Sequence, residues 1–282
     1  MSNPKIIVSI DTEVGEKAKF VKDGFEKFIL GKIGEEYWGI PKIVEILEKY
    51  GIKGEFFVDV YEDAFFGEEK YAKLCQFLNE HGHGVQLHTH PAYAYDINRI
   101  NMHEYSLEEQ IKIIKEGKER IIKWIGKAPI AHRAGNYGAN NDTLLALKEN
   151  DIPIDSSFYF GHPNCKMILE DITSVFYYNG LIEIPVTVIK KRRLLHKLGF
   201  KTTFNKIDVN SLNYLEIIKN IKKMKNEKVI VLFGHSFSFI NPNRPYYTII
   251  EQNKQLFHDF DNLLHLLSHN YSFISFHNLE IN

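Results

Sequence analysis

The feature that most constrains this chain is its alternation of short apolar runs with amphipathic stretches. Lys5–Asp11 reads as a buried strand. Ile40–Tyr50 carries apolar residues at Ile40, Ile43, Val44 and Leu47, a helical period, with Pro41 suited to a first turn. Glu55–Val60 is a second strand and Tyr71–Asn79 a helix; Gly84–His90 is a third strand, stopped by Pro91. Ser106 opens a long helix with a serine cap and an acidic first turn, running to Ile125. Ile130–Arg133 and Pro153–Ser157 read as strands around a helix over Asp142–Glu149. Ser174–Tyr178 and Leu181–Ile189 form a hairpin about Asn179-Gly180. A helix over Ser211–Lys225, the strongly apolar strand Val229–His235, a helix over Glu251–Leu267 and a last strand, Tyr271–Phe276, complete the chain. This rhythm has no composition break. It predicts one α/β domain over residues 1–282 with a largely parallel sheet, closed or nearly closed into a barrel. Residues 12–38 have weak periodicity and read as a loop insertion at the barrel mouth.

Composition narrows the function classes. A chain of 282 residues buries a large core without staples, and its two cysteines, Cys75 and Cys165, make no C-x-x-C, so a reduced compartment is expected. Lys and Arg number 35 against 36 Asp and Glu, a net charge of −1, which offers no electrostatic footprint for nucleic acid. Lys190–Arg193 is the nearest thing to a basic patch; it reads as a solvated face, with phosphate or glycolipid contact as the alternative. The N-terminus meets an acidic residue before a signal-peptide core is long enough, and no apolar stretch has the length of a membrane span. The expectation is a soluble cytoplasmic protein.

The polar residues that interrupt apolar strands share one location. Asp11 and Glu13, His88 and His90, Arg133, Asp155 and His235 each lie at or just beyond the C-terminal end of a strand. In a parallel α/β barrel those ends meet at one face, where active sites are built. His88 and His90 are two apart on an extended chain, so both imidazoles point the same way and suit zinc and its neighbours. Asp11 and Glu13 repeat that spacing: one binds the metal and the other takes a proton from its water. Arg133 is placed to orient the base carboxylate and keep it ionised, and Gly135 and Gly138 to let backbone N–H groups approach a substrate oxygen. His235, opposite the base, is the proton donor for a leaving amine, with Asp155 keeping its imidazole charged. His277, after the last strand, is a further candidate for the mouth.

These pieces resemble the polysaccharide deacetylase family, the NodB-homology carbohydrate esterases. Ser9-Ile-Asp-Thr-Glu13, Leu87-His-Thr-His-Pro91, Arg133 to Gly138, Asp155-Ser-Ser and Leu232-Phe-Gly-His235 are similar to its five motifs, in order. The resemblance implies a distorted (β/α)7 barrel and a metal-dependent deacetylase, most simply with one zinc ion. It implies Glu13, His88 and His90 as metal ligands, Asp11 as base, Arg133 as its partner, His235 as acid tuned by Asp155, and the Tyr137 N–H in the oxyanion hole. The sequence also departs from the family pattern. Thr12 stands where the family has a second aspartate, one residue instead of three separates the histidines, and the third motif is one residue longer. This marks a divergent branch, whose expected substrate is a small molecule or glycan carrying an N-acyl group, such as an intermediate of surface glycan assembly. Two alternatives stand beside it: a metal-dependent hydrolase of a non-sugar C–N bond or phosphoester, and a non-catalytic glycan-binding barrel.

Overall fold

A computed structural model describes residues 3–15, 18–169, 175–195 and 199–279, with the backbone alone for 192–195 and 199–201. Of the fourteen strands among the described residues, ten bear on the site: β1 (Lys5–Thr12), β2 (Glu55–Asp59), β3 (Gly84–Thr89), β4 (Ala131–Ala134), β5 (Ile154–Asp155), β6 (Phe176–Tyr178), β7 (Leu181–Glu183), β8 (Val188–Leu195), β9 (Gly199–Lys206) and β10 (Val229–His235). Eight form one curled sheet in the order β10-β1-β2-β3-β4-β5-β7-β6, parallel except for the β6–β7 hairpin. Between β7 and β10 the wall is irregular backbone: Phe233 N–H donates to the Ile207 carbonyl at 2.9 Å, and Ile207 N–H to that of Thr187 at 3.0 Å. The fold is thus the curled parallel α/β barrel that the alternation predicts.

Residue parity sorts the strands into two faces, because successive side chains point to opposite sides of a sheet. Ile7, Phe57, Ala131, Ile154, Ile184, Val231 and Phe233 pack together in the lumen. Ile6, Val8, Phe56, Val58, Leu87 and Leu232 face outward, onto the helices. The long helices Ile40–Lys49, Glu68–Glu80 and Leu107–Ile125 cover that outer face with Ile43, Leu47, Leu78, Ile113 and Ile114. The Leu107–Ile125 helix starts at the expected cap: Ser106 Oγ accepts from Glu109 N–H, and Glu109 reaches back to Ser106 N–H.

Two expectations change and a third holds. The strand read as Leu181–Ile189 stops at Glu183, and β8 starts at Val188 to pair antiparallel with β9. The basic run Lys190–Arg193 therefore lies in a two-stranded arm, which needs no continuous apolar face; the Arg192 and Arg193 side chains, like Ser174 of the predicted hairpin, lie outside the described residues. Tyr271–Phe276 is not a strand but meets β1 at one isolated bridge, Ile6 to Phe273. Within residues 12–38, Val14, Ala18, Phe25, Phe28 and Ile29 are buried, and Val14, Gly15, Ala18 and Phe28 line a cavity together with His235, so this insertion does sit at the mouth.

Candidate metal centre and active site

The strand register brings the candidate residues together. Asp11 is the lateral partner of His235 on one side and of Phe57 on the other; Asp59 partners His88, and His88 partners Arg133. Partners in adjacent strands share a face, and this face is the lumen.

Glu13, His88 and His90 offer ligand atoms that all lie within 4.8 Å of one another. Glu13 Oε2 is 2.8 Å from His90 Nε2 and 3.5 Å from His88 Nε2. A carbonyl only accepts, so the 2.8 Å contact of His88 Nδ1 with the Arg133 carbonyl fixes the proton on Nδ1 and leaves Nε2 as a lone pair. Burial resists ionisation of Glu13, but His90 and His88 outweigh it and hold the carboxyl well below its usual range. The loop carrying Glu13 is pinned by Glu62, whose oxygens accept from Val14 N–H at 2.9 Å and from Tyr71 O–H at 2.7 Å. Gly135 has a use other than the expected one: a Cβ there would come within 2.5 Å of the His90 ring, which packs flat over it. Gly138 likewise makes room for Asn101, whose side chain fills the place of a Cβ there. Two imidazoles and one carboxylate are a donor set that fits a divalent ion and leaves coordination positions open.

Arg133 is fully buried and lies across the lumen. Its Nη1 donates to Asp11 Oδ1 and, at 2.7 Å, to Ser9 Oγ; Nε donates to the Ser156 carbonyl and Nη2 to Ser156 Oγ. The rings of Phe57 and Phe233 lie 4.0 and 4.4 Å from its guanidinium carbon. Burial alone would raise the Asp11 pKa, but Arg133, assisted by His88, His235 and Lys206, holds it below its ordinary value. A carboxylate kept ionised in a dry pocket is suited to accept a proton.

Asp155 does not meet His235. It pairs laterally with His132, and His132 precedes a residue that faces the lumen, so both point outward. Asp155 Oδ1 is 2.7 Å from His132 Nδ1 and accepts from Ser157 Oγ at 2.9 Å; Oδ2 accepts from Ser157 N–H. The lumen position that the motif supplies is Ser156, on Arg133. His235 stands beside Asp11 on the adjacent strand rather than opposite it. Its ring stacks on Phe237, and its buried Nδ1 has no partner among the described residues. It lines a cavity of about 680 Å³ shared with Asp208, Asn210, Ser238 and Arg244.

Tyr137 enters the mouth through two consecutive left-handed residues, Asn136 at φ 54° and Tyr137 at φ 57°, a strained turn of the sort found at functional sites. Its ring packs on Tyr159, and its hydroxyl accepts from Lys206 Nζ at 2.8 Å. His277 lies at the other end of the barrel: it lines a cavity with Gly84 and Val85 at the start of β3. The sequence reading missed Ser9, Asp59, Glu62, Ser156 and Lys206. Asp59 carried a visible signal, a charged residue ending an apolar strand. Its Oδ1 accepts from Tyr61 N–H at 3.1 Å, and burial, against the pull of His90 and His88, pushes its pKa up to about 6. Lys206 closes the β9 arm and carried no such signal; its ammonium is 2.9 Å from Asp208 Oδ2.

A family model described as polysaccharide deacetylase matches residues 37–153, the span that holds His88, His90 and Arg133. Among solved structures, a protein from Mycobacterium smegmatis assigned as a polysaccharide deacetylase is 14% identical, with 96% of this chain and 86% of that one covered, at a TM-score of 0.57. The Xyl-CE4 domain of a multidomain xylanase from the hindgut metagenome of Trinervitermes trinervoides is also 14% identical, with 98% and 89% covered, at a TM-score of 0.49. No curated protein matches. The M. smegmatis protein shows the shared fold. Over residues 37–153 the chain is similar to the polysaccharide deacetylase family, and it shares the fold of the M. smegmatis protein.

Proposed function

We propose that this protein is a metal-dependent hydrolase that removes an N-acetyl or similar acyl group from an amino-sugar substrate. The observation that carries this reading is the juxtaposition of two units in one lumen: the Glu13, His88 and His90 donor set, and Asp11 held ionised by buried Arg133. A bound divalent ion, most simply zinc, supplies Lewis-acid polarisation of the acyl carbonyl and lowers the pKa of water. Glu13, His88 and His90 would hold it. Asp11 accepts the proton of the attacking water as the water oxygen bonds to the acyl carbon. Arg133 fixes the Asp11 carboxylate in place through Oδ1. The Tyr137 N–H donates to the oxygen that gains negative charge. His235 gives a proton to the amide nitrogen as the C–N bond breaks, so the products are a carboxylate and a free amine. Its buried Nδ1 has no hydrogen-bond partner among the described residues.

The similarity to the polysaccharide deacetylase model supports sugar deacetylation as the reaction class, and N-acetylated sugar nucleotides make a first panel. Among the described residues no helix is long and apolar enough to cross a membrane. The test is acetate release from N-acetylated amino sugars and sugar nucleotides by zinc-loaded protein, with and without chelator. Chelator-sensitive acetate release supports the proposal. Phosphate release points instead to a phosphoesterase, and tight sugar binding without turnover to a binding barrel.

A further inference from the structure

Among the buried carboxylates that the mechanism above leaves unused, Asp59 is the one beside His88. Asp59 ends β2, is fully buried, and is the lateral partner of His88. It shares lumen parity with Phe57, whose ring lies under Arg133. One of its oxygens caps the short turn after β2 through Tyr61 N–H; the other, Oδ2, has no partner among the described residues. A buried carboxylate oxygen without a donor is costly, because the desolvation it suffers is not returned by any hydrogen bond. Its neighbours are satisfied. Glu62 accepts from Val14 and Tyr71, and Asp11 from Arg133. Glu183 also has an unpaired oxygen, but it partners Asp155 on the outer side of the sheet. The free oxygen of Asp59 is therefore an unsatisfied acidic atom on the strand beside His88, outside the Glu13, His88 and His90 donor set but within electrostatic reach of both histidines.

We propose that Asp59 is a further group of the metal centre, supplying a second carboxylate charge and a free acceptor to the ion held by Glu13, His88 and His90. This rests on the metal reading above. Two carboxylates balance a divalent cation, so the buried pocket carries no net charge once the ion is bound. The same charges leave the empty pocket with an uncompensated negative group. The chemical class that fits is a borderline or hard divalent cation that accepts both imidazole and oxygen donors, such as zinc, cobalt or manganese, rather than a soft monovalent one.

Asp59→Asn separates this role from a purely structural one. The amide oxygen still accepts from Tyr61 N–H, while the charge and the free acceptor are lost. The readouts are zinc and manganese affinity by chelator competition, and thermal melting in EDTA and with excess zinc. In EDTA the variant is expected to melt at or above wild type, since an unpaired buried charge is gone. With zinc the order reverses, and affinity falls about 10–100-fold, the usual effect of losing a group that supports a metal site. Asp59→Glu, which keeps the charge, is expected to recover part of that affinity. It supplies the comparison if Asp59→Asn does not fold. Equal affinity in wild type and Asp59→Asn overturns the inference. So does a variant that melts lower by the same margin with and without zinc. A wild-type protein that binds no ion overturns the metal reading itself, and this inference with it.

Discussion

Histidine meets carboxylate on both faces of this curled sheet. In the lumen, His88 and His90 face Glu13, whose side chain is 16% exposed. On the outer face, His132 faces Asp155, and both side chains are 0% exposed. The outer pair is spent: His132 Nε2 meets Thr89 Oγ1 at 3.0 Å, its Nδ1 meets Asp155, and Asp155 takes two further bonds from Ser157. In the lumen the Nε2 atoms of His88 and His90 meet nothing but Glu13, and His235 Nδ1 and Asp59 Oδ2 meet nothing among the described residues. Residue type does not separate the two sites. Access and unspent hydrogen-bonding capacity do: a fully partnered buried network rigidifies a fold, while unspent donor atoms in a reachable pocket are what an ion or a substrate needs.

That division is open to attack by substitution. The largest effect is expected in the lumen. Asp11→Asn should lower kcat by about 10²–10⁴-fold, the usual worth of a general base, with metal content unchanged by elemental analysis; unchanged turnover removes Asp11 from the role. His235→Gln should lower kcat on amides by about 10²-fold at the low end of the same range. It should have far less effect on acyl esters of good leaving phenols, which need no proton; an equal loss on both substrates argues that His235 positions rather than protonates. On the outer face, Asp155→Asn should cost about 1–3 kcal/mol of stability in denaturant titration, the penalty for disturbing a buried hydrogen-bonded pair. The folded fraction should turn over close to wild type. Lost turnover in a folded, metal-bearing Asp155→Asn protein would break the division between the faces.

The smallest effect is a pH signature. Burial opposes ionisation of Asp11, but Arg133 and its neighbours win, so its folded pKa lies below the ordinary 3.8. A depressed carboxyl contributes its stability in full above the unfolded value and loses it as pH falls through the folded one. The stability advantage of wild type over Asp11→Asn should therefore be constant above about pH 4 and shrink in stronger acid. An advantage that shrinks already near neutral pH contradicts the Arg133 pairing.

The sequence made the lumen legible for a physical reason. A charged or imidazole side chain at the end of an otherwise apolar strand is rare unless something there uses it, and Asp11, His88, Arg133 and His235 all carry that mark. Spacing added the rest for His90 and Glu13, which follow their partners by two residues. Asp155 carried the mark as well but belongs to the outer face. β5 has only two residues, too few for an alternation pattern, and its face is set by register against β4. Lys206 was hidden because it reaches the mouth from the end of an arm, where contact depends on a path through space and not on local pattern. The final strand failed because its apolar run packs as irregular backbone, with a single bridge to β1. Asp59 was legible by the same rule as the others and was passed over.

The central claim is that the lumen of this barrel holds an ion. Its most direct test is the metal content of the purified protein beside a His88→Ala/His90→Ala variant, each before and after reloading with zinc. The account predicts close to one divalent ion per wild-type chain and loss of it in the variant. No ion in wild type after reloading, or equal retention in both proteins, would contradict it.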